Sequence, residues 1–320
     1  MTRALSPENQ PKTAFKVLIS LFFLIFVTAQ PLGAGQKSGE QGDQMQSFRT
    51  VKLIAENSIL DGTGFDTVVF NDEVWIVGGD EREDVYSSKD LLNWRKQSDQ
   101  ENLLLLDHSL LAFKNKLWVV LGSGLSGYSH TIWSSNNGKN WQKNKKQLPF
   151  PTRMDHAATV FQDRMWVLGG MAEGLEPLDD VWSSKDGLNW DLEYSHAAFG
   201  PRYDHASVVF DNKIWVIGGI KDGGEDSNEV WYSSDGKTWT LATDSPGFTS
   251  MTNTYHATAY AGKIWVGTWG DNGWSLWSSI DGKNWEELRP AEPLFTEVES
   301  LVVFQDKLFV FVFGAVWQVE

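Results

Sequence analysis

Short apolar runs recur from residue 65 to the C-terminus, each closed by a polar or glycine-bearing turn. One stretch displays the whole unit. His205-Ala-Ser-Val-Val-Phe210 is rich in β-branched residues and ends at the tight turn Asp211-Asn212. Lys213-Ile-Trp-Val-Ile217 then returns as a nearly unbroken apolar run, the pattern of a strand covered on both faces. Gly218-Gly219 ends it and a variable loop follows. Glu229-Val-Trp-Tyr-Ser233 predicts a third strand, Asp235-Gly236 a second hairpin turn and Thr238-Trp-Thr-Leu241 a fourth strand. No segment sustains a 3.6-residue apolar period long enough for a helix.

The unit repeats. Fifteen of the 17 tryptophans fall into three registers. The first is Trp75, Trp118, Trp166, Trp215 and Trp265, in the second strand. The second is Trp133, Trp182, Trp231, Trp277 and Trp317, with Tyr86 in the first copy. The third is Trp94, Trp141, Trp190, Trp239 and Trp285. Second and third registers stand eight residues apart in every copy that has both, and the period is 43 to 50 residues. That spacing, with four strands per unit, predicts a β-propeller whose tryptophans fill the wedges between blades. Each would bury ~150–250 Å², or roughly 4–6 kcal/mol of gross transfer energy.

Five full units run over residues 65–289, and a sixth covers 300–319 without a fourth strand. Phe48-Arg-Thr-Val-Lys-Leu-Ile54 has the spacing of that missing strand. The expected domain is therefore an all-β, six-bladed propeller over residues 48–320. Its N-terminal strand closes the last blade and protects edges that would otherwise stay open.

Composition narrows the class. The net charge of −15 is the wrong sign for phosphate backbones or anionic lipid, so nucleic acid is not an expected partner. The absence of cysteine excludes disulfides, thiolate catalysis and thiolate metal sites. Lys12 and Lys16 precede an uncharged apolar run over 17–29 with small residues at Ala29 and Ala34. This is the layout of a secretory signal peptide, with an uncleaved anchor as the alternative. Residues 30–47 read as a polar, loose leader, and the expected location is the periplasm or exterior, with no membrane insertion once the signal is removed.

The pattern resembles the kelch repeat family. The residues that carry the resemblance are the doublets Gly78-Gly79, Gly169-Gly170 and Gly218-Gly219, each followed by an aromatic in the next strand. Arg153-Met-Asp-His-Ala157 and Arg202-Tyr-Asp-His-Ala206 look like the family's Arg-x-x-His start of an innermost strand. Blades two and five keep only His108 and His256. The resemblance implies a kelch-type propeller like the central domain of galactose oxidase. It does not imply one function, because such propellers include binding scaffolds and a few enzymes. Ser183-Ser-Lys-Asp-Gly-Leu-Asn-Trp190 and its copies partly resemble the Asp-box of sialidase-like propellers, but the Asp immediately precedes the Gly, which reads as a hairpin turn.

Loop length varies only in the connections between second and third strands, so one face is expected to carry the site. That face gathers Trp269 and Trp274, the two tryptophans outside the repeat, with Asp271 and Asn272 between them. They would stack on a sugar and bind its hydroxyls, or else form a lid over a short loop. Arg153 and Arg202 would clamp a carboxylate, or pair with Asp155 and Asp204 as structural groups. His108, His156, His205 and His256 read as one register around the axis. A repeated histidine favours a structural hydrogen bond, and neither metal nor cofactor is expected. The leading expectation is a secreted, non-catalytic binding module that presents the loop-rich face to a protein, peptide or glycan. The alternative is a carbohydrate enzyme resembling the kelch-type sialic acid epimerase (mutarotase), with Arg153 and Arg202 holding the carboxylate and His156, His205 or Glu176 moving protons. A galactose-oxidase-like copper site is not expected, because the cysteine of that crosslinked cofactor is missing.

Overall fold

A computed structural model describes residues 51–320 except 62, 80–83, 99–105, 125–126, 249–255, 271–272 and 289–297. The apolar run at 17–29, the leader and residues 48–50 lie outside the described residues. Six antiparallel sheets of four main strands follow one another along the chain. Blade one is Phe65–Phe70, Glu73–Gly78, Val85–Ser88 and Arg95–Ser98, in that order from the centre outward. Blades two to five repeat the order, and blade four follows the boundaries its apolar runs suggest: Ala206–Phe210, Lys213–Ile217, Val230–Ser233 and Thr240–Thr243.

Blade six closes the ring as the spacing predicts. Val298–Phe304, Lys307–Val312 and Ala315–Val319 come from the C-terminus, and Val51–Glu56 is the outer strand. Val51 pairs with Val319 and Glu56 with Ala315, with a bulge between Leu53 and Ala55. The Asn57 amide donates to the Gly314 carbonyl at 2.9 Å and extends the seam.

Apolar burial lies between blades. Each of six clusters draws on two neighbouring sheets, from Trp75 with Leu117 and Val119 to Trp265 with Leu308 and Val310. The first-register tryptophans are 2–5% exposed. Each indole N–H donates to the carbonyl five residues earlier, at the end of the innermost strand, at 2.9–3.1 Å. Burial therefore leaves no indole donor unpaired in this register.

The Asp-Gly turns have a second purpose that their turn chemistry does not disclose. Asp186, Asp235 and Asp281 accept the amides two and three residues on, so the turn is a side-chain-capped hairpin. The glycines behind them have φ near +70° and face the tryptophan of the preceding blade. A Cβ at Gly138, Gly187, Gly236 or Gly282 would lie 1.9–2.3 Å from the ring of Trp75, Trp118, Trp166 or Trp215. Where blade six has Phe309 in place of tryptophan, the facing turn of blade one has Leu91, and both belong to one cluster. The smaller ring leaves room for the larger turn residue.

At the axis, the open edges of the innermost strands are satisfied from the next blade. The Asp66 carboxylate accepts the Leu110 and Thr67 amides, both at 2.7 Å. Thr67 and Ser300 hydroxyls pair at 2.6 Å, and Glu299 accepts the Gly64 amide at 3.1 Å. Burial outweighs the two amides and pushes the Asp66 carboxyl up to about 6.

Candidate functional site

The connections between second and third strands and the links between blades share one face. Blade three contributes the long hairpin Arg164–Ala172 with Pro177–Ser184, whose tip exposes Glu173, Leu175 and Glu176. In blades three and four the incoming link adds a short strand to this edge: Arg153 pairs with Ala172, and Arg202 with Lys221.

Blade five differs from the sequence expectation. Trp269 and Trp274 are opposite partners in the ladder of Lys263–Gly270 with Gly273–Ser279, and Gly270 pairs with Gly273. The segment is a continued hairpin, where an irregular loop is expected from the position of the glycine doublets elsewhere. Blade three also continues past its doublet, but with a register shift between Leu168 and Gly170, whereas the blade-five ladder runs without a shift as far as Gly270. Asp271 and Asn272 lie outside the described residues.

The two arginines are committed within their own blades. Arg153 is 0% exposed and grips Asp180 bidentately, at 2.5 and 2.9 Å, while also donating to the Gly169 carbonyl at 2.9 Å. Arg202, equally buried, donates to Glu229 at 2.8 Å, to the Gly218 carbonyl at 2.9 Å and to the Phe199 carbonyl. The carboxylates are Asp180 and Glu229, not Asp155 and Asp204. They stand at the start of the third strand, two residues before Trp182 and Trp231, whose indole N–H groups donate to the same oxygens. Phe150 packs on Arg153 and Phe199 on Arg202, sealing the guanidinium planes. Neither arginine is free to clamp an external carboxylate.

The histidines are structural too. His156 and His205 are buried, and the second glycine of each doublet, Gly170 or Gly219, lies against their Cβ atoms, where an added methyl would come within 2.7 Å. Gly122 has the same relation to His108. The His205 ring reaches back to Gly169 of blade three. Burial, with the charge of Arg202 adding to it, takes the His205 imidazole down to about 3, and the Leu168 carbonyl offsets only part of this. Burial and the nearby Arg153 hold His156 well below the usual range. Both are neutral near pH 7 and poorly matched to proton transfer there.

His256 does not belong to that register. Ser109 pairs with Val120, Ala157 with Leu168 and Ala206 with Ile217, each directly after its histidine. In blade five Ala257 pairs with Val266, which places His256 at the register of Ser109, Ala157 and Ala206. A one-residue offset in a strand moves a side chain to the other face, so the expected ring of four histidines is a ring of three. The blade that has Trp269 at the second glycine position is also the one whose histidine is displaced.

From sequence, Asp155 and Asp204 are named only as partners for the arginines, and Asp107 and the backbone role of the residue before each histidine are missed. Asp107, Asp155 and Asp204 all adopt left-handed backbone, with φ of 53°, 52° and 55°. Their backbones are chained around the axis: the Asp155 amide donates to the Asp107 carbonyl at 3.3 Å, and the Asp204 amide to the Asp155 carbonyl at 2.9 Å. Tyr128 of blade two stands beside them. Burial and the charges of Asp155, Glu173 and Asp107 raise its hydroxyl above the usual range. On the loop-rich face these aspartates form an acidic arc beside sealed, neutral histidines, with Asp107 and Asp155 partly exposed and Asp204 buried. The Asp-His dipeptide recurring in three blades was the available signal. Among the described residues no cluster of histidine, aspartate or glutamate forms a metal site.

The KLHDC2/KLHL20/DRC7 Kelch-repeats domain model matches residues 107–314. A solved structure described as "Structure of YjhT" matches with a TM-score of 0.64 at 13% identity, covering 83% of this chain and 96% of that one. At that identity the likeness is one of fold. No curated protein matches the chain.

Proposed function

The chain belongs to the kelch-repeat family, and we propose that it is an exported, non-catalytic binding propeller whose loop-rich face docks a basic segment of a partner protein. The observation that carries this reading is the acidic arc of Asp107, Asp155 and Asp204 with Tyr128 and Glu173 beside it, on the face where loops vary. Complementary charge would steer a lysine- or arginine-bearing segment to this arc. The groups that an epimerase-like reaction would draw on argue for binding over catalysis: Arg153 and Arg202 are locked in ion pairs, and His156 and His205 are buried and neutral. Export rests on the N-terminal layout alone. Trp269 and Trp274, at the rim of blade five, are proposed as a further contact of the same partner.

Binding to an array of arginine- and lysine-containing peptides tests the reading. Asp107→Asn and Asp155→Asn, at the two partly exposed positions, keep a residue that tolerates left-handed backbone while removing the charge. They are expected to weaken binding and flatten its salt dependence. Equal binding of acidic and basic peptides, or no change in the variants, would refute it. Catalysis is tested separately by following anomer exchange of N-acetylneuraminic acid by NMR; acceleration above the buffer rate would restore the enzyme reading.

A further inference from the structure

Blade two is electrically unlike the rest of the molecule. From His108 to Met154 the sequence contains no aspartate or glutamate, yet it carries Lys114, Lys116, Lys139, Lys143, Lys145, Lys146 and Arg153. The whole chain has 42 acidic against 27 basic residues, so this blade is a basic sector in an acidic protein.

The other blades provide an internal comparison at the end opposite the loop-rich face. In blade one, Glu73 at the start of the second strand pairs with Arg95 of the outer strand at 2.8 Å. In blade three Arg164 meets Glu193 at 3.1 Å and Asp191 at 3.4 Å, and in blade five Lys263 meets Glu286 at 3.0 Å. These pairs bridge the sheet from second to fourth strand; blade four has Thr240 at the outer position, and its Lys213 pairs instead with Asp211 of the adjoining turn at 2.5 Å. Blade two has Lys116 and Gln142 at those positions, and Lys116 lies over the Trp118 ring, 5.7 Å away, with no ion pair among the described residues. The turn has changed as well. Asn93, Asn189 and Asn284 donate their side-chain amides to Asp90, Asp186 and Asp281. Blade two has Asn137 in place of that aspartate; it still accepts the Lys139 and Asn140 amides, but among the described residues no bond joins it to the Asn140 side chain. Blade two thus lacks both the turn aspartate and a carboxylate partner for Lys116, and a groove of about 200 Å³ lies there, lined by Lys116, Ser134, Asn136, Asn140 and Gln142.

We propose that this groove binds an acidic saccharide. Lys116 would take a sugar carboxylate in the place that Glu286 takes against Lys263 in blade five, and the hydroxyl and amide side chains would meet ring hydroxyls. Lys139, Lys143 and Lys145 lie exposed along the same turn and outer strand, and extend the positive surface for further acidic units. A nucleic acid is the less suitable polyanion. Its bases need exposed aromatic faces to stack on, and Trp133 and Trp141 of this blade are buried, with Lys143 lying over the Trp133 ring.

The test is calorimetric titration of the protein with tetragalacturonate, with neutral cellotetraose and a single-stranded oligonucleotide as comparators. Tetragalacturonate is expected to bind in a salt-dependent manner and cellotetraose not to bind. Lys116→Gln should weaken binding by roughly tenfold or more. Gln142→Glu is the decisive variant, because it recreates the blade-five ion pair, closes the groove from within and should abolish binding without lowering the melting temperature. Lys283→Gln in blade five is the control and should change nothing. The proposal fails if tetragalacturonate does not bind. It fails equally if Gln142→Glu binds as the parent does, or if the oligonucleotide binds more tightly than the saccharide. None of these outcomes bears on the acidic arc, which lies on the opposite face.

Discussion

Gly236→Ala isolates the contact on which neighbouring blades depend. The new Cβ would lie 2.1 Å from Cζ3 of Trp166 and 2.4 Å from Cη2, far inside van der Waals contact, on a buried ring that cannot swing aside. Two effects add. An L-residue at φ of +73° costs roughly 1–2 kcal/mol, and overpacking in a filled wedge costs about 1–3 kcal/mol. Their sum is about 3 kcal/mol, which for a domain of this size lowers the melting temperature by roughly 6–12 °C. Thermal unfolding followed by tryptophan fluorescence and circular dichroism measures it. Trp166→Phe together with Gly236→Ala separates the two effects, since the smaller ring leaves room for the methyl, as Phe309 does for Leu91 in blade one. The double variant should be more stable than the two single losses added together, with a coupling of about 1 kcal/mol or more. A Gly236→Ala loss below about 1 kcal/mol, or strict additivity in the cycle, would refute the Trp–Gly lock.

Three further outcomes are expected. Asp180→Asn should destabilise by about 3–5 kcal/mol by leaving Arg153 buried without its counter-ion; a loss no larger than that of an exposed pair such as Lys213–Asp211 would show that the Arg153 pair is not structural. Asp66 has its folded pKa raised from 3.8 to about 6, so the folded state holds the proton more tightly and stability from this group is lost as pH rises through that window. Relative to the parent, Asp66→Asn should gain about 2–3 kcal/mol between pH 4 and pH 7 in chemical unfolding, and parallel pH profiles would contradict the assignment. Deleting residues 48–56 should expose the edge of Ala315–Val319 and cause aggregation or a large fall in melting temperature, as read by light scattering and calorimetry; a monomer of unchanged stability would show that the closure is dispensable.

The candidate site was only partly legible in the sequence. Arg153, Arg202, His156 and His205 were visible as chemistry, but their partners Asp180, Glu229 and the doublet glycines lie far along the chain. The count that placed His256 with the other histidines missed a single-residue offset, which only strand pairing exposes. Trp269 and Trp274 read as loop residues because a strand end was inferred from glycine positions that blade five does not share.

The sequence by itself determined the repeat, the four strands per blade, the number of blades and the closing strand, because each depends on local alternation and on spacing along one chain. The tertiary structure alone decided which charges meet. Whether Arg153 clamps a ligand or Asp180, whether Lys116 is neutralised or left open, and which turn glycine faces which tryptophan all follow from the rotation of one sheet against the next. Those pairings join residues from different strands or blades, and neither propensity nor periodicity along the chain encodes them.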